Sequence, residues 1–360
     1  MAGLYVHVPF CHRKCLYCNF FSVNYDNVLA DKYIDALIKH AVKFKDEKID
    51  SVYIGGGTPS VLSLGQIRRL LEVLNEVFDL SRVQEFTFEL NPESVSKEKL
   101  CILRKLGVNR LSIGLQSVED KSLKFLGRAH DFRTFCSTYD TAREENFDNI
   151  NIDLLYGLPE QTLKDWKKVL KETLLFNSEH LSLYPLSIEE HTSFYRNKTV
   201  ICGDIQRDMY DYGAEMLAAK GYGHYEISNW AKRNRESFHN TNYWRNFEYV
   251  GIGAGAAGYL KRNRYKNIED VNMYISLLEN DCSTEFENEC IDDKLYETET
   301  IILGLRLLNE GLDTRCFNSP EKYNILLECL KNKMLEIKNG KVKLVKECVF
   351  IFNQIVSKFV

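Results

Sequence analysis

Little in this 360-residue sequence interrupts a folded chain. It has only 6 prolines, no internal repeat, no low-complexity linker and no apolar run as long as a membrane-spanning helix. With 44% hydrophobic residues, that excludes a disordered or collagen-like polymer. Neither charge dominates, with 47 basic against 51 acidic residues. Phosphate binding relies on clustered Lys and Arg, so nucleic acid is not an expected partner. No charged segment followed by an apolar stretch opens the chain, so no secretory signal is expected. Most of the 11 cysteines are scattered singly, at Cys101, Cys136, Cys202, Cys282, Cys290, Cys316, Cys329 and Cys348. That is the usage of reduced thiols rather than of an oxidised scaffold, and it implies a cytoplasmic location. The length allows about two domains with cores that need no disulfides.

Strand and helix signals alternate up to about residue 185. Candidate strands are Leu4–Val8, Ser51–Ile54, Glu85–Leu90, Arg110–Leu115, Asn151–Leu155 and His180–Leu183. Between the first two, Tyr33, Ile34, Leu37, Ile38, Ala41 and Phe44 fall on one helical face. A second helix opens with a capping box, Ser63 and Gln66; others open near Ser96 and near Thr162 with Asp165. Six strands separated in this way predict an α/β fold with a parallel sheet, best fitted by a partial (β/α)6 barrel, with a doubly wound sheet as the other option. In both, functional groups gather at the carboxyl ends of the strands. There the sequence has Gly55-Gly56-Gly57-Thr58-Pro59, Glu89 before Asn91-Pro92, Gln116, and Asp153 ahead of Gly157-Leu158-Pro159. Singly, Glu89 and Asp153 are explained as well by pairing with basic neighbours inside a barrel; together they favour a ligand site.

The sharpest signal is Cys11-His12-Arg13-Lys14-Cys15-Leu16-Tyr17-Cys18, directly after the first strand. Thiolates at this spacing converge on zinc, Cu(I) or an iron–sulfur cluster. Zinc would take His7 or His12 as a fourth ligand. A cubane held by three cysteines keeps one iron open to a small molecule.

These cysteines, Tyr17 and the Gly55–Pro59 loop resemble the radical SAM superfamily. His7-Val8-Pro9-Phe10, Glu89-Leu90-Asn91-Pro92, Gly114-Leu115-Gln116-Ser117, Gly127-Arg128-Ala129-His130, Asp153–Pro159 and Tyr225-Glu226-Ile227-Ser228-Asn229 narrow the resemblance to its HemN/HemW family, the oxygen-independent coproporphyrinogen III oxidases and their haem-chaperone relatives. The resemblance implies that Cys11, Cys15 and Cys18 bind a [4Fe-4S] cluster whose open iron is chelated by S-adenosylmethionine. It implies that Tyr5, Gly56, Gly57, Thr58, Glu89, Gln116, Arg128 and Asp153 surround that ligand. Arg128 would grip the methionine carboxylate, Asp153 and Gln116 the ribose, and Glu89 the cationic end. The resemblance further implies that an electron from the reduced cluster would cleave the sulfonium of that ligand into methionine and a 5′-deoxyadenosyl radical.

Three features resemble the chaperone branch more than the oxidases: Phe20 where the oxidases have a further cysteine, a short segment before Cys11, and His239-Asn240-Thr241-Asn242-Tyr243-Trp244 as an H-N-x-x-Y-W element. The resemblance implies haem as cargo, with His239 as a ligand of its iron; from residue chemistry alone, His239 is more often a core hydrogen-bonding group. It further implies haem-accepting proteins and an electron donor such as flavodoxin or ferredoxin as partners, and leaves a homodimer open. The alternative function is decarboxylation of coproporphyrinogen III.

The division expected is residues 1–232 as the radical SAM core, 233–290 as a connecting region, and 291–360 as a helical, winged-helix-like module. In that module Asn339-Gly340 signals a hairpin, and 6 lysines between 331 and 346 read as a solvated edge rather than a nucleic-acid surface. Gly253–Gly258 satisfies G-x-G-x-x-G, but no convincing amphipathic helix follows, so nicotinamide binding is not expected there.

Overall fold

Six strands follow one another both in sequence and in space. The computed structural model describes residues 2–360. In it β1 (Ala2–Val8), β2 (Ile49–Gly56), β3 (Glu85–Leu90), β4 (Arg110–Gln116), β5 (Ile150–Tyr156) and β6 (His180–Pro185) pair in parallel, each with the next. Order without reversal belongs to an open (β/α) barrel; a doubly wound sheet changes direction partway across. The partial barrel is therefore correct.

Helices α1 (Asn27–Val42), α2 (Leu64–Phe78), α3 (Lys97–Lys105), α4 (Phe132–Glu144) and α5 (Leu163–Leu174) cover the outer face. Both capping boxes form, at Ser63/Gln66 and Thr162/Asp165. Outward strand residues such as Val6, Ile54, Phe88, Ile113 and Leu154 are buried beneath Leu37, Leu70, Leu71, Leu100, Phe135 and Trp166 of the helices. At about 25 cal/mol per Å2 of apolar surface, this layer supplies the main driving force for folding.

The sheet is larger than the sequence signals indicate. It has 12 strands, in the order β12-β11-β10-β9-β1-β2-β3-β4-β5-β6-β8-β7, where β7 is Gly223–Glu226, β8 Asn229–Ala231, β9 Tyr249–Ile252, β10 Ala257–Leu260, β11 Asn263–Asn267 and β12 Glu285–Cys290. Thus much of the stretch expected to be a connector extends the barrel sheet beside β1. Gly253–Ala256 turns from β9 into β10, which takes in Ala257 and Gly258, so the G-x-G-x-x-G run is not a strand-to-helix junction. Helix α6 (Gly203–Ala219) packs near β6, and α7 (Phe238–Trp244) closes the end of the barrel where the strands begin. Glu85 fixes α7 there, accepting the backbone N–H groups of Phe238 and His239 at 2.8 and 3.3 Å and the Ser237 hydroxyl at 3.0 Å.

Beyond residue 291 lie α8 (Asp293–Gly304), α9 (Pro320–Lys331) and a 3-stranded sheet of Leu312–Asp313, Leu335–Lys338 and Lys341–Leu344. Asn339 and Gly340, with φ of 51° and 74°, make the expected tight hairpin. No helix among the described residues is long and apolar enough to cross a membrane.

Candidate functional site

Parallel barrel strands are usually filled by layers of branched apolar side chains. Here they are not. Residues that alternate with the buried apolar row are polar: Tyr53 on β2, Glu89 on β3, Arg110 and Ser112 on β4, Asn151 and Asp153 on β5, Ser182 on β6. Together they line a cavity of about 510 Å3 that runs from the Cys11–Phe20 loop, at the carboxyl ends of the strands, down to Asn240 of α7.

At the mouth the chain leaves β1 through Phe10 and enters the cysteine loop. The glycine loop after β2 docks against it, Gly57 N–H donating to Val8 O at 2.9 Å and Thr58 N–H to Phe10 O at 2.8 Å. A Cβ on Gly57 would sit 2.8 Å from Phe10 O and 3.0 Å from Cys11 Sγ, so only glycine permits this approach. Gly56, at φ 118°, is in a region that favours glycine, and a Cβ there would strike the His7 ring at 2.7 Å. Cys11 Sγ lies 3.5 Å from Thr58 Oγ1, and Arg128 Nη1 donates to Cys15 Sγ at 3.6 Å. Burial pushes the Cys11 and Cys18 thiols above their ordinary range, so as free thiols they stay protonated; a bound metal makes them thiolates.

The residues fit an iron–sulfur cubane on three counts. Three thiols share one loop at the cavity mouth, a small-residue cradle brings backbone against them, and the guanidinium of Arg128 is aimed at the same place. Arg128 Nη2 is fixed by Asn91 Oδ1 at 2.5 Å and by Gly114 O at 2.9 Å, while its buried Nε has no partner among the described residues. That free donor suits a carboxylate. Among the described residues no three His, Cys, Asp or Glu side chains converge on a single ion. A cubane does not ask for it, because each thiolate holds its own iron. His7, one of the side chains considered for zinc, has Nδ1 2.9 Å from Tyr5 Oη and Nε2 3.1 Å from Phe21 O, which leaves neither ring nitrogen free.

Deeper in, Glu89 accepts from Tyr53 Oη at 2.6 Å and from Gly56 N–H at 3.3 Å. Burial, with Asp153 nearby, pushes its carboxyl up to about 7. Asp153 accepts from Ser112 Oγ at 3.0 Å and Asn151 Nδ2 at 2.9 Å; burial raises it too. Gln116 lines the cavity at a register shift that ends β4, with φ of 67°. A non-glycine residue held there costs about 1–3 kcal/mol.

The structure thus gathers Cys11, Cys15, Cys18, Gly56, Gly57, Thr58, Glu89, Gln116, Arg128 and Asp153 around one cavity. Two expected site residues are not among its lining. Tyr5 turns its hydroxyl to His7 and its ring toward Tyr53. His239 is 1% exposed and packs at the opposite end, its Nδ1 2.9 Å from Ser51 Oγ and its Nε2 2.7 Å from Tyr243 Oη. Burial pulls its imidazole down to about 3, so it is neutral, and in this packing both nitrogens are engaged, leaving no free lone pair for iron. Sequence reading passed over Arg110, Asn151 and Asn240. The signal that finds the first two is strict polar–apolar alternation in strands expected to be apolar throughout, as in Arg110-Leu111-Ser112-Ile113 and Asn151-Ile152-Asp153-Leu154.

Residues 5–173 match the radical SAM superfamily. The Heme chaperone HemW of Lactococcus lactis is 36% identical over 366 residues, covering 99% of this chain and 96% of the relative. That of Bacillus subtilis is 37% identical over 347 residues, covering 93% and 90%. The structure of coproporphyrinogen III oxidase (HemN) from Escherichia coli, described as a radical SAM enzyme, superposes with a TM-score of 0.86 at 22% identity, covering 99% of this chain and 89% of that one; the likeness is one of fold. Radical SAM membership brings with it a [4Fe-4S] cluster and S-adenosylmethionine, the pair that the mouth of this cavity suits. With thiols, glycine cradle and polar barrel in place, and kinship running end to end, the chain belongs to the HemW family of radical SAM proteins.

Proposed function

We propose that this protein is a haem chaperone, binding haem and delivering it to acceptor haemoproteins, with a [4Fe-4S] cluster on Cys11, Cys15 and Cys18 and S-adenosylmethionine in the cavity beside it. The observation that carries the haem reading is the end-to-end relationship to proteins named haem chaperone. The cofactor reading rests on the cavity mouth. Arg128 Nε takes the methionine carboxylate, Gln116 and Asp153 take the ribose hydroxyls, and ionised Glu89 faces the cationic end of the ligand. When bound and reduced, the cluster supplies one electron toward the sulfonium. What this chain's residues contribute is orientation, a fixed positive charge beside Cys15 and a lumen closed to bulk water below.

A flavodoxin or ferredoxin would serve as electron donor, and haem-accepting proteins as partners; a homodimer belongs to the same reading. The haem ligand is a residue other than His239 so long as α7 stays packed as it is here. Residues 1–232 form the cofactor-holding core, 233–290 a connecting region that also adds strands to the core sheet beside β1, and 291–360 the module available to partners.

The test is anaerobic. Cluster-loaded protein is given haem, and transfer to an apo-haemoprotein is followed by visible spectra for wild type and Cys15→Ala. Transfer by wild type that is slowed in the variant supports the reading. Conversion of coproporphyrinogen III to protoporphyrinogen in the same preparation would instead make the chain an oxidase, and equal transfer by both proteins would remove the cluster from the role.

A further inference from the structure

The cysteine loop does not stand alone at the cavity mouth. Leu16 N–H donates to Leu126 O and Phe194 N–H donates to Leu16 O, both at 3.1 Å. These bonds tie the loop to two short helices, Asp120–Leu126 and Ser193–Arg196. Beneath the junction Leu126, Leu155, Leu158, Leu186 and Phe194 form an apolar cluster of their own, against which Leu16 and Tyr17 pack. Loop and helices are therefore one continuous piece of surface.

That surface is basic and partly aromatic. Arg13 and Lys14 of the loop, Lys124 of the first helix, Arg196 of the second and Lys198 just beyond it are all exposed, and none forms an ion pair among the described residues. Next to them in sequence Phe125 and Tyr195 are exposed too, the Phe125 ring lying 4.9 Å from that of Phe194. The acids of these segments are fewer. Glu119 is paired with Lys168 at 2.5 Å and Asp120 accepts Phe132 N–H at 2.9 Å, which leaves Glu189 and Glu190. The whole chain has a formal charge of -4, so the sign is reversed locally, beside the cysteines. Aromatic residues and arginine are enriched in protein interfaces, and unpaired charge of one sign selects a partner of the other.

We infer that this face docks an acidic one-electron carrier protein of the flavodoxin kind. The inference rests on the cluster reading given above and names the surface through which the electron enters. Arg13 and Lys14 lie between Cys11 and Cys15, so a carrier held on them is brought against the cluster ligands themselves. The basic side chains orient an acidic partner that the net charge of the chain would otherwise repel, while Phe125 and Tyr195 give it apolar contact. The step is an electron transfer alone: the carrier's reduced flavin is oxidised by one electron, the cluster is reduced by one, and no bond forms or breaks.

Flavodoxin is the probe. Its oxidised form is titrated calorimetrically into anaerobic, cluster-loaded full-length protein; its reduced form is mixed with the same protein while bleaching of the cluster is followed. Dithionite, which needs no docking face, is the reference reductant. Wild type is expected to bind flavodoxin and to be reduced by it, with affinity and rate that fall steeply as salt is added. The double variant Lys124→Glu, Lys198→Glu is expected to lose about tenfold in both at low salt and to keep little salt dependence. Its iron content and its reduction by dithionite stay at the wild-type level. Equal binding and rates in the two proteins, or wild-type values indifferent to salt, overturn the docking face. So does sedimentation of wild type but not of the variant with phosphatidylserine vesicles, if flavodoxin does not distinguish them; the patch is then a lipid contact. Wild type that dithionite cannot bleach marks the failure of the cluster reading instead, and the binding titration still decides the face.

Discussion

Glu89 makes the affinity for S-adenosylmethionine depend on pH in a calculable way. Its carboxyl, raised to about 7 by burial, must be ionised to face the cationic end of the ligand. The ionised fraction falls from about 0.8 at pH 7.5 to about 0.1 at pH 6.0, so affinity falls roughly eightfold, or about 1 kcal/mol. The Glu89→Gln variant binds more weakly at pH 7.5 but loses most of this slope, because the amide keeps the Tyr53 contact and cannot ionise. Calorimetric titration of cluster-loaded protein under anaerobic conditions at pH 6.0 and 7.5 measures both proteins. A wild-type affinity that is flat over this range, or an unchanged slope in Glu89→Gln, would mean that Glu89 does not face the ligand's charge.

The same residue sets a stability difference in ligand-free protein. Between its unfolded value near 4.5 and its folded value of about 7, the native state holds the extra proton, so this contribution weakens as pH rises, by at most about 3 kcal/mol. Buried neutral His239 acts in the opposite sense, losing stability as pH falls below 6.5, so the effect is read as the difference between wild type and Glu89→Gln in urea melts. His239→Ala strands the hydroxyls of Ser51 and Tyr243 and is expected to cost about 3–5 kcal/mol, with haem affinity unchanged in the fraction that folds; a selective loss of haem binding would return His239 to the iron. Gly57→Ala forces a methyl against Phe10 O and Cys11 Sγ and is expected to fold with iron content well below wild type; full iron loading would show that the loop yields.

Much of the fold was legible because the strands carry strong signals. Glu85–Leu90 is bounded as expected, capping boxes open α2 and α5, and Asn339-Gly340 turns the hairpin. Helix α4 was less visible. Its buried stripe, Phe135, Tyr139 and Ala142, is thin, and its cap, Asp131, has no partner in a box. The outer strands β9 to β12 are short or exposed and contain Gly and charged residues, as in the fully exposed Glu285–Cys290, so only their pairing defines them. At the site, the cysteines and glycines were readable because they cannot be exchanged for other residue types. Arg110 and Asn240 were not: their meaning depends on a closed lumen, and no spacing along the chain encodes which side of α7 faces it.

An open-cornered cubane at the cavity mouth would leave one iron free to take S-adenosylmethionine. The most direct measurement is the EPR spectrum of the dithionite-reduced protein, with iron and sulfide analysis, before and after adding the ligand. About four irons and four sulfides per chain are expected, with a spectrum changed by S-adenosylmethionine. Stoichiometric zinc, or a cluster spectrum that the ligand leaves untouched, would contradict it.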